Sequence, residues 1–411
     1  MDACGAGRHA TPVDDHVARI LAAVGPLPAV AVPVLDALDL TLAEDVRAAV
    51  ALPTFDNSAM DGYAVHWHDV ADARADAPIH LPVVGAIEAG ASTLAELLPG
   101  TAIKIMTGAP VPPGATAVVP YEWTDRGARE VLINQAPREG ANIRPQGEDV
   151  EVGDLLVEAG TVLGPRHIGL LAAVGQARVS ARPRPRVVIL STGSELCEPG
   201  HPLAPGQIYE SNSYMLAAAA RAAGASAYRA SSVSDDPAAF LERLTDQLVR
   251  ADIVVTSGGV SQGDFDVVKA ALSDLGTVWF GDVAMQPGKP QGFGTVGDDS
   301  TPVFTLPGNP VSAYLSFQLF VLPAIRTLQG KARASRPVRS ARCTKGFTSA
   351  AGKRQFVRGS YDAALVAPVG GHGSHLLGDL AIANALIVVP EDVTEVAAGD
   401  SVQVMLLDED F

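Results

Sequence analysis

A glycine-rich stretch in the middle of the chain has the residue types that bind anions. Ser257-Gly258-Gly259-Val260-Ser261 follows the short apolar run Ile253-Val254-Val255, and two carboxylates, Asp264 and Asp266, come soon after it. Adjacent glycines let the backbone turn sharply and bring its N–H groups close to a negatively charged ligand. Buried strand, glycine loop, carboxylate and helix in this order are typical of a ligand site at the carboxyl edge of an α/β sheet. A plain strand-to-helix turn with a helix cap explains the same residues equally well.

Two more polar loops follow predicted strands. Ser191-Thr192-Gly193-Ser194-Glu195 comes after the apolar residues 187–190, and Pro307-Gly308-Asn309-Pro310-Val311-Ser312 comes shortly after residues 303–305. Because right-handed crossovers place the carboxyl ends of parallel strands at one edge of a sheet, we expect the three loops to converge there. The long helix predicted to run to about residue 328 directs the partial positive charge of its N-terminus at that edge.

Apolar periodicity and capping residues predict the elements that must hold these loops. The basic, proline-rich residues 182–186 are typical of a stiff linker, and strands alternate with helices beyond them, as in a parallel sheet. Short strands interrupted by Pro and Gly predict β-rich regions at residues 66–140 and 332–411. Helices are predicted at residues 12–24, 34–43, 165–174 and 213–223, and from residue 235 to about 250.

Further candidate binding residues lie outside the predicted sheet. Residues 52–65 combine many turn formers with large apolar side chains, which is more typical of a binding loop than of a connector. A structural turn with apolar anchors is the alternative. Thr107 ends a predicted strand, where its hydroxyl either faces a ligand or caps the turn. Lys353, Arg354 and Arg358 form a local basic patch, which plain solvation also explains.

Length and composition bound the class of protein. At 411 residues with 47% hydrophobic content, the chain can form several cores. Its formal charge of −16 argues against a general nucleic-acid binder. Three cysteines without C-x-x-C spacing argue for reduced thiols in the cytoplasm and against a zinc site of the usual kind. Neither a run of 18 apolar residues nor a secretory N-terminal pattern is present, so we expect no membrane segment.

Six segments of the chain resemble the signature motifs of the molybdopterin molybdenumtransferase (MoeA-like) family, which includes the E domain of gephyrin. They occur in the family's order and at compatible spacing, and the likeness runs from about residue 12 to the C-terminus. The segments are Phe55-Asp56-Asn57-Ser58-Ala59-Met60-Asp61-Gly62-Tyr63-Ala64-Val65, Met106-Thr107-Gly108-Ala109-Pro110, Ser191-Thr192-Gly193-Ser194-Glu195-Leu196, Ser257-Gly258-Gly259-Val260-Ser261, Pro287-Gly288-Lys289-Pro290 and Leu306-Pro307-Gly308-Asn309-Pro310-Val311-Ser312.

The resemblance implies an α/β multidomain fold with four parts. Residues 1–50 and 141–183 would build an elongated discontinuous domain, and residues 51–140 an inserted β domain. Residues 184–331 would form a doubly wound, molybdopterin-binding-type catalytic domain, and residues 332–411 a C-terminal β-barrel. Members of the family are homodimers in which the inserted domain of one subunit completes the active-site cleft of the other.

The resemblance also implies a reaction. Adenylylated molybdopterin and molybdate would give molybdenum cofactor and AMP. Such a site must hold a pyrophosphate, a cation and a tetrahedral oxyanion together, and the implied cation is Mg²⁺, which takes oxygen ligands. The molybdopterin adenylyltransferase is a candidate protein partner, whereas nucleic acid and membranes are not expected as partners.

The family's functional residues match positions in this chain. Asp61, Thr107, Glu195 and Asp266 match its catalytic residues, and Asp61 and Thr107 would reach in from the partner subunit. The implied metal ligands are Glu195, Asp266 and Asp235, although a helix cap explains Asp235 equally well. Lys289 would neutralise phosphate or molybdate. The implied substrate-binding residues are Ser257, Gly258, Gly259, Ser261, Lys289, Pro307, Gly308, Asn309, Pro310 and Ser312.

One position departs from the family, and three other interpretations stay open. Gln286 stands where many members carry a basic residue, which removes a positive charge beside the expected anion site. A non-catalytic molybdopterin-binding scaffold of the same fold is one alternative, but a scaffold need not keep all four catalytic residues. An adenylyltransferase would need neither residues 51–140 nor the barrel. A tungstate-inserting variant would share every feature described.

Overall fold

The computed structural model describes residues 10–90, 95–230, 236–259, 267–409 and 411. Four residues predicted above, Asp235, Ser261, Asp264 and Asp266, lie outside these ranges.

A six-stranded, mostly parallel sheet carries the predicted loops. The strands next to Ile253–Ser257 run parallel to it, and residues Ser191, Ser257 and Leu306 are in register at their carboxyl ends. The prediction that the three loops share one edge is therefore confirmed. Two antiparallel strands extend the sheet on one side. In spatial order the strands are Ser226–Arg229, Arg186–Ser191, Ile253–Ser257, Thr301–Leu306, Pro290–Val296 and Val278–Asp282.

Helices cover both faces of this sheet, because its central strands are apolar on both sides. Val187 and Ile189 face one core, whereas Val188 and Leu190 face the other. The sheet is thus doubly wound, as predicted. The first face is covered by Asn212–Ala222 and by a long helix of Pro310–Ser316, a π-helical turn Phe317–Val321 and Leu322–Leu328. The second face is covered by Pro237–Leu248 and Val267–Ser273.

The long helix Pro310–Leu328 is long and apolar enough to cross a membrane by length and composition alone. However, 89% of its most apolar window is buried inside the structure, as in the core helix of a globular protein. Packing against the sheet therefore accounts for its composition.

The first face of the sheet shares its core with two distant parts of the chain. The N-terminal helix Val13–Ala22 contributes Val13 and Ile20 to this core. The C-terminal region contributes Phe356 and Met405 to the same core. One continuous core therefore joins the beginning, the middle and the end of the described chain.

His16 lies in the N-terminal helix at this junction. Its side chain is 1% exposed and lies edge-on to Phe320, with 4.7 Å between ring centroids. Burial, together with the nearby charge of Arg19, lowers the pKa of His16 to about 4. The folded protein therefore favours the neutral imidazole.

Acid should weaken the fold through His16. The pKa of His16 is about 4 in the folded state and 6.5 in the unfolded state. Its contribution to the free energy of unfolding is therefore complete above pH 6.5 and is lost as the pH falls towards 4. By pH 5 the free energy of unfolding should have dropped by about 2 kcal/mol through this residue. Urea unfolding at pH 7 and pH 5 measures this loss, and the His16→Leu variant should lack it. Equal losses in both proteins would contradict the prediction.

A second structural region is assembled from two separate chain segments. Val30–Pro33 pairs with Arg178–Ala181, and Val46–Arg47 pairs with Leu155–Val157, both antiparallel. Pro165–Ala173 is helical, as predicted. The helix predicted at residues 34–43 was wrong: only a short 3-10 turn, Val34–Ala37, forms. Asp39 takes a left-handed backbone conformation with φ 65°, which a helix does not allow.

Residues 57–144 contain a five-stranded sheet. Asn57–Ser58 pairs with Ile143–Arg144 beside this sheet, and short turns lie at Trp67–Val70 and Tyr121–Trp123. In spatial order the strands are Ala117–Pro120, Gly62–Val65, Ala102–Ile105, Ile79–Ile87 and Glu130–Ile133.

The C-terminal region is a closed β-barrel, as predicted. Closure occurs because Arg354–Asp362 pairs with both Leu365–Pro368 and Ala385–Val389. Val338–Cys343 and Ser401–Leu406 complete the ring, and the two-residue strand Met285–Gln286 joins it from the α/β region. Smaller elements of this region are Phe347–Thr348 paired with Glu395–Val396 and the helix Leu377–Ile382.

In the α/β region, Leu196–Cys197 pairs with Ile208–Tyr209 beside the main sheet.

Candidate active site

Three backbone loops meet closely at the carboxyl edge of the sheet. Gly258 donates its N–H to the Leu306 carbonyl at 3.1 Å, and Thr192 donates to the Ser257 carbonyl at 3.4 Å. A β-carbon on Gly258 would lie 3.1 Å from the Thr192 carbonyl oxygen, and the φ of Gly258 is +94°. Only glycine suits this conformation and this approach. The structure thus brings Ser257, Gly258 and the Pro307–Ser312 loop together as predicted.

Asn212 connects two of these loops and was missed in the sequence. Its amide nitrogen donates to the Ser257 hydroxyl at 2.8 Å and to the Gly308 carbonyl at 2.6 Å. Its amide oxygen is buried and has no hydrogen-bond partner within the described residues. The polar run Glu210-Ser211-Asn212-Ser213 before an alanine-rich helix marks a helix start, and that pattern could have identified it.

The buried carboxylate of Glu210 supports the carboxyl edge of the sheet. Glu210 is 3% exposed and accepts hydrogen bonds from the Ser191 hydroxyl at 3.1 Å and the Ser213 N–H at 2.9 Å. Arg229 approaches Glu210 at 3.4 Å and pairs with Glu198 at 2.7 Å. Because a buried charge needs such partners, these bonds fix the strand end that leads into the Ser191–Glu195 loop.

Glu195 lies exposed at the same edge. Its carboxylate covers Gly193, where an added β-carbon would come within 2.5 Å of a carboxylate oxygen. The carboxylate of Glu195 is therefore accessible from outside the protein at this edge. Its predicted companions Asp266 and Asp235 are outside the described residues, and the described part of the chain contains no group of three metal-binding side chains.

The Pro307–Ser312 loop contacts a glycine-rich loop of the barrel. Asn309 donates its side-chain amide to the Ser374 hydroxyl at 2.9 Å, and Val311 donates its N–H to the Ser374 carbonyl at 3.0 Å. The barrel therefore forms one wall of the site. The run Gly370-Gly371-His372-Gly373-Ser374 could have been recognised in the sequence as a loop of this kind.

Arg358 holds this barrel loop from inside. Its side chain is 4% exposed and donates to the carbonyls of Gly373, at 3.0 Å, and Gly371. Asp379 is 3.9 Å away, and burial lowers the pKa of Arg358 despite this partner. Its Nε is buried and has no hydrogen-bond partner within the described residues.

Lys289 and Gln286 lie on a short segment between the sheet and the barrel. Lys289 pairs with Asp282 at 2.8 Å and is exposed. Gln286 is half-buried beside Gln355, which hydrogen-bonds to His372 at 3.0 Å. The segment thus approaches the loop that Arg358 holds.

Asp61 and Thr107 are hydrogen-bonded to each other in the five-stranded region. The N–H and hydroxyl of Thr107 both donate to Oδ1 of Asp61, at 2.7 and 2.8 Å. These bonds lower the pKa of Asp61, the backbone bond most strongly, so its carboxylate is ionised at neutral pH. Both residues are exposed, and these bonds stay within their own region.

Three family models match the chain in order. They are the MoeA N-terminal region (domains I and II) over residues 11–175, a probable molybdopterin binding domain over residues 188–327, and the MoeA C-terminal region (domain IV) over residues 340–407.

Individual relatives match over nearly the whole chain. Molybdopterin molybdenumtransferase 2 of Mycobacterium tuberculosis H37Rv is 49% identical over 404 residues, which is 95% of this chain and 98% of that protein. Molybdopterin molybdenumtransferase 1 of the same organism is 41% identical over 420 residues, with 96% and 98% coverage. A solved molybdopterin biosynthesis moeA protein from Pyrococcus horikosii superimposes with a TM-score of 0.83 at 31% identity, over 97% of this chain and 100% of that one.

Proposed function

Because the chain belongs to the molybdopterin molybdenumtransferase family, we propose that it inserts molybdate into adenylylated molybdopterin and releases AMP. It is a transferase of molybdenum cofactor biosynthesis. The single observation that carries the proposed chemistry is the meeting of three loops at one sheet edge, next to a barrel loop that a buried arginine holds.

The phosphates of the substrate would lie at the glycine loops. Gly258, Gly259 and Gly308 offer backbone close to the N-terminus of the helix Pro310–Leu328, which favours negative charge. The buried amide oxygen of Asn212 is an acceptor, and it would take a hydrogen bond from an N–H or O–H of the substrate. Asn309, Pro310 and Ser312 would complete the phosphate side through the same loop.

Mg²⁺ would be held mainly by the substrate. This ion is usually bound through one or two carboxylates together with phosphate oxygens and water, so a complete protein cage is not required. The exposed carboxylate of Glu195 beside the loops suits that donor set, with Asp266 and Asp235 as further proposed ligands. When bound, the cation would offset the charge of the departing phosphate.

The oxyanion would lie between the barrel and Lys289. The Nε of Arg358 has no partner among the described residues. His372 and Ser374 belong to the loop whose carbonyls Arg358 binds. Lys289 adds a positive charge, and its ammonium pairs with Asp282. A planar guanidinium and an ammonium together suit a tetrahedral dianion.

Asp61 and Thr107 would act across a homodimer interface. We propose that the region of residues 51–140 of one subunit faces the α/β loops of its partner in the cytoplasm. The exposure of both residues, combined with a carboxylate already oriented by two hydrogen bonds, supports a role toward a ligand that another chain binds. A contact with the molybdopterin adenylyltransferase would deliver the substrate.

The proposal is tested by AMP release from adenylylated molybdopterin. The purified protein with Mg²⁺ should release AMP faster when molybdate is added, and the product should activate a cofactor-free molybdoenzyme. Tight binding without AMP release would favour a scaffold. Replacing molybdate by tungstate in the same assay measures the metal preference.

Gln286→Lys should improve the use of molybdate. A new positive charge beside the proposed oxyanion site should lower the molybdate concentration for half-maximal rate by about two- to fivefold. The gain should shrink at high salt, since the position is only half-buried. Gln286→Met is the uncharged control. An unchanged half-saturating concentration in the lysine variant would mean that position 286 does not sense the oxyanion.

A further inference from the structure

We propose that the ion pair between Asp14 and Arg354 positions the oxyanion end of the active site, so that both are positioning residues for the reaction. The inference rests on the proposed function and extends it to residues far from the phosphate loops. It concerns the short segment of residues 282–289, which ends in Lys289.

This segment is held by backbone bonds from two sides. On one side, Thr11 donates to the Asp282 carbonyl at 2.8 Å and accepts from the Ala284 N–H at 2.7 Å. On the other side, the N–H of Arg354 donates to the Ala284 carbonyl at 2.9 Å, and Met285–Gln286 pairs with Arg354–Gln355. The segment is therefore a narrow ribbon between the start of the chain and the barrel.

The side chain of Arg354 joins the same two sides directly. Its two terminal nitrogens donate to the two carboxylate oxygens of Asp14 at 2.7 and 2.9 Å, and its Nε lies 3.1 Å from Glu391. Each of the three guanidinium nitrogens thus has a carboxylate partner, and this pairing suits a structural role for Arg354. The bond from Arg354 lowers the pKa of Asp14, so the pair is charged at neutral pH.

The helix that carries Asp14 is itself fixed. Val13, His16 and Ile20 are buried, and Val13 and Ile20 belong to the core that also contains Val283 and Met285 of the ribbon. The ion pair consequently links this fixed helix directly to the barrel strand. The ribbon lies in that gap, and its register decides where Gln286 and Lys289 point.

The ribbon also closes on itself near Lys289. Val283 donates its N–H to the Lys289 carbonyl at 2.7 Å, and the Lys289 ammonium pairs with Asp282. A displacement of the Ala284 backbone is therefore transmitted to Lys289 through these two bonds. Because the glycine loops are held by other bonds, the shift should affect the oxyanion and leave the nucleotide end in place.

Steady-state kinetics of the full-length Asp14→Asn variant tests this inference. The concentration of molybdate at half-maximal rate should rise about two- to fivefold, as expected for losing one partly exposed ion pair. The maximal rate and the half-saturating concentration of adenylylated molybdopterin should stay the same. Asp15→Asn, which changes an exposed acid in the same helical turn, is the matched control and should behave like the unchanged protein.

A rescue variant and a second substitution separate positioning from general destabilisation. Asp14→Glu keeps the carboxylate and should restore most of the molybdate affinity, whereas Arg354→Met should raise the half-saturating concentration further. The inference is overturned if both Asp14→Asn and Arg354→Met leave that concentration unchanged, or if they lower only the maximal rate together with the melting temperature. If the unchanged protein releases AMP without any response to molybdate, the proposed function itself fails and takes this inference with it.

Discussion

Replacing Asp61 by asparagine is expected to reduce AMP release at least about a hundredfold. Thr107 donates both of its hydrogen bonds to Oδ1, which leaves Oδ2 for the proposed ligand. Asparagine retains an acceptor at the Oδ1 position, so the turn should keep its shape while the negative charge is lost. An ionised carboxylate can orient water or contact the proposed Mg²⁺, and the amide can do neither well.

The matched control for this change is Asp125→Asn. Asp125 is also an exposed carboxylate whose pKa is lowered by backbone N–H groups, from Leu132 and Gly127, in the same strand-rich region. Its replacement should leave AMP release unaltered. The dimer content of both variants, measured by size-exclusion chromatography with light scattering, should match that of the unchanged protein. Full activity in Asp61→Asn would remove this carboxylate from the active site.

Arg358→Lys should reduce the rate at low molybdate about a hundredfold, although it conserves the charge. The guanidinium donates to two backbone carbonyls of one loop, and its Nε has no partner within the described residues. A single ammonium cannot reach the same carbonyls and also present a donor to an oxyanion. The loop that contains Ser374 should therefore loosen as well, which would weaken its contact with Asn309.

Arg339→Lys is the comparison for this variant. Arg339 belongs to the same barrel, but it is exposed and pairs with Glu409 at the surface. Exposed pairs contribute little, so its replacement should change neither stability nor kinetics measurably. Molybdate titrations of both variants test whether Arg358 acts on the oxyanion. Equal half-saturating concentrations in Arg358→Lys and Arg339→Lys would show that the buried arginine only supports the loop.

The sequence predicted the central sheet well because its strands are short, apolar and β-branched. Residues 187–190 and 253–255 lie in neighbouring parallel strands, and the turns after them contain glycine where φ is positive, as at Gly258. These are local features, and local patterns report them directly. The helix predicted at residues 34–43 failed for the opposite reason, since pairing of nearby strands with residues 155–181 overrides local helix preference.

The partners of the site's supporting residues could not be predicted, because their contacts are distant in sequence. Asn212 meets Gly308 across 96 positions, and Asp14 meets Arg354 across 340. The basic patch around Arg354 and Arg358 was also ambiguous in the sequence. In the structure one arginine is buried behind a loop and the other is bound by two acids.

The core shared by Ile20, Phe356 and Met405 has a consequence for how the protein is made. During synthesis the N-terminal helix leaves the ribosome long before the barrel strands that cover part of the same core. At typical elongation rates, roughly 20 to 80 s pass between the synthesis of this helix and that of Met405. For that interval the shared core lacks its barrel residues, and the nascent chain is a natural client for a chaperone that shields apolar surfaces.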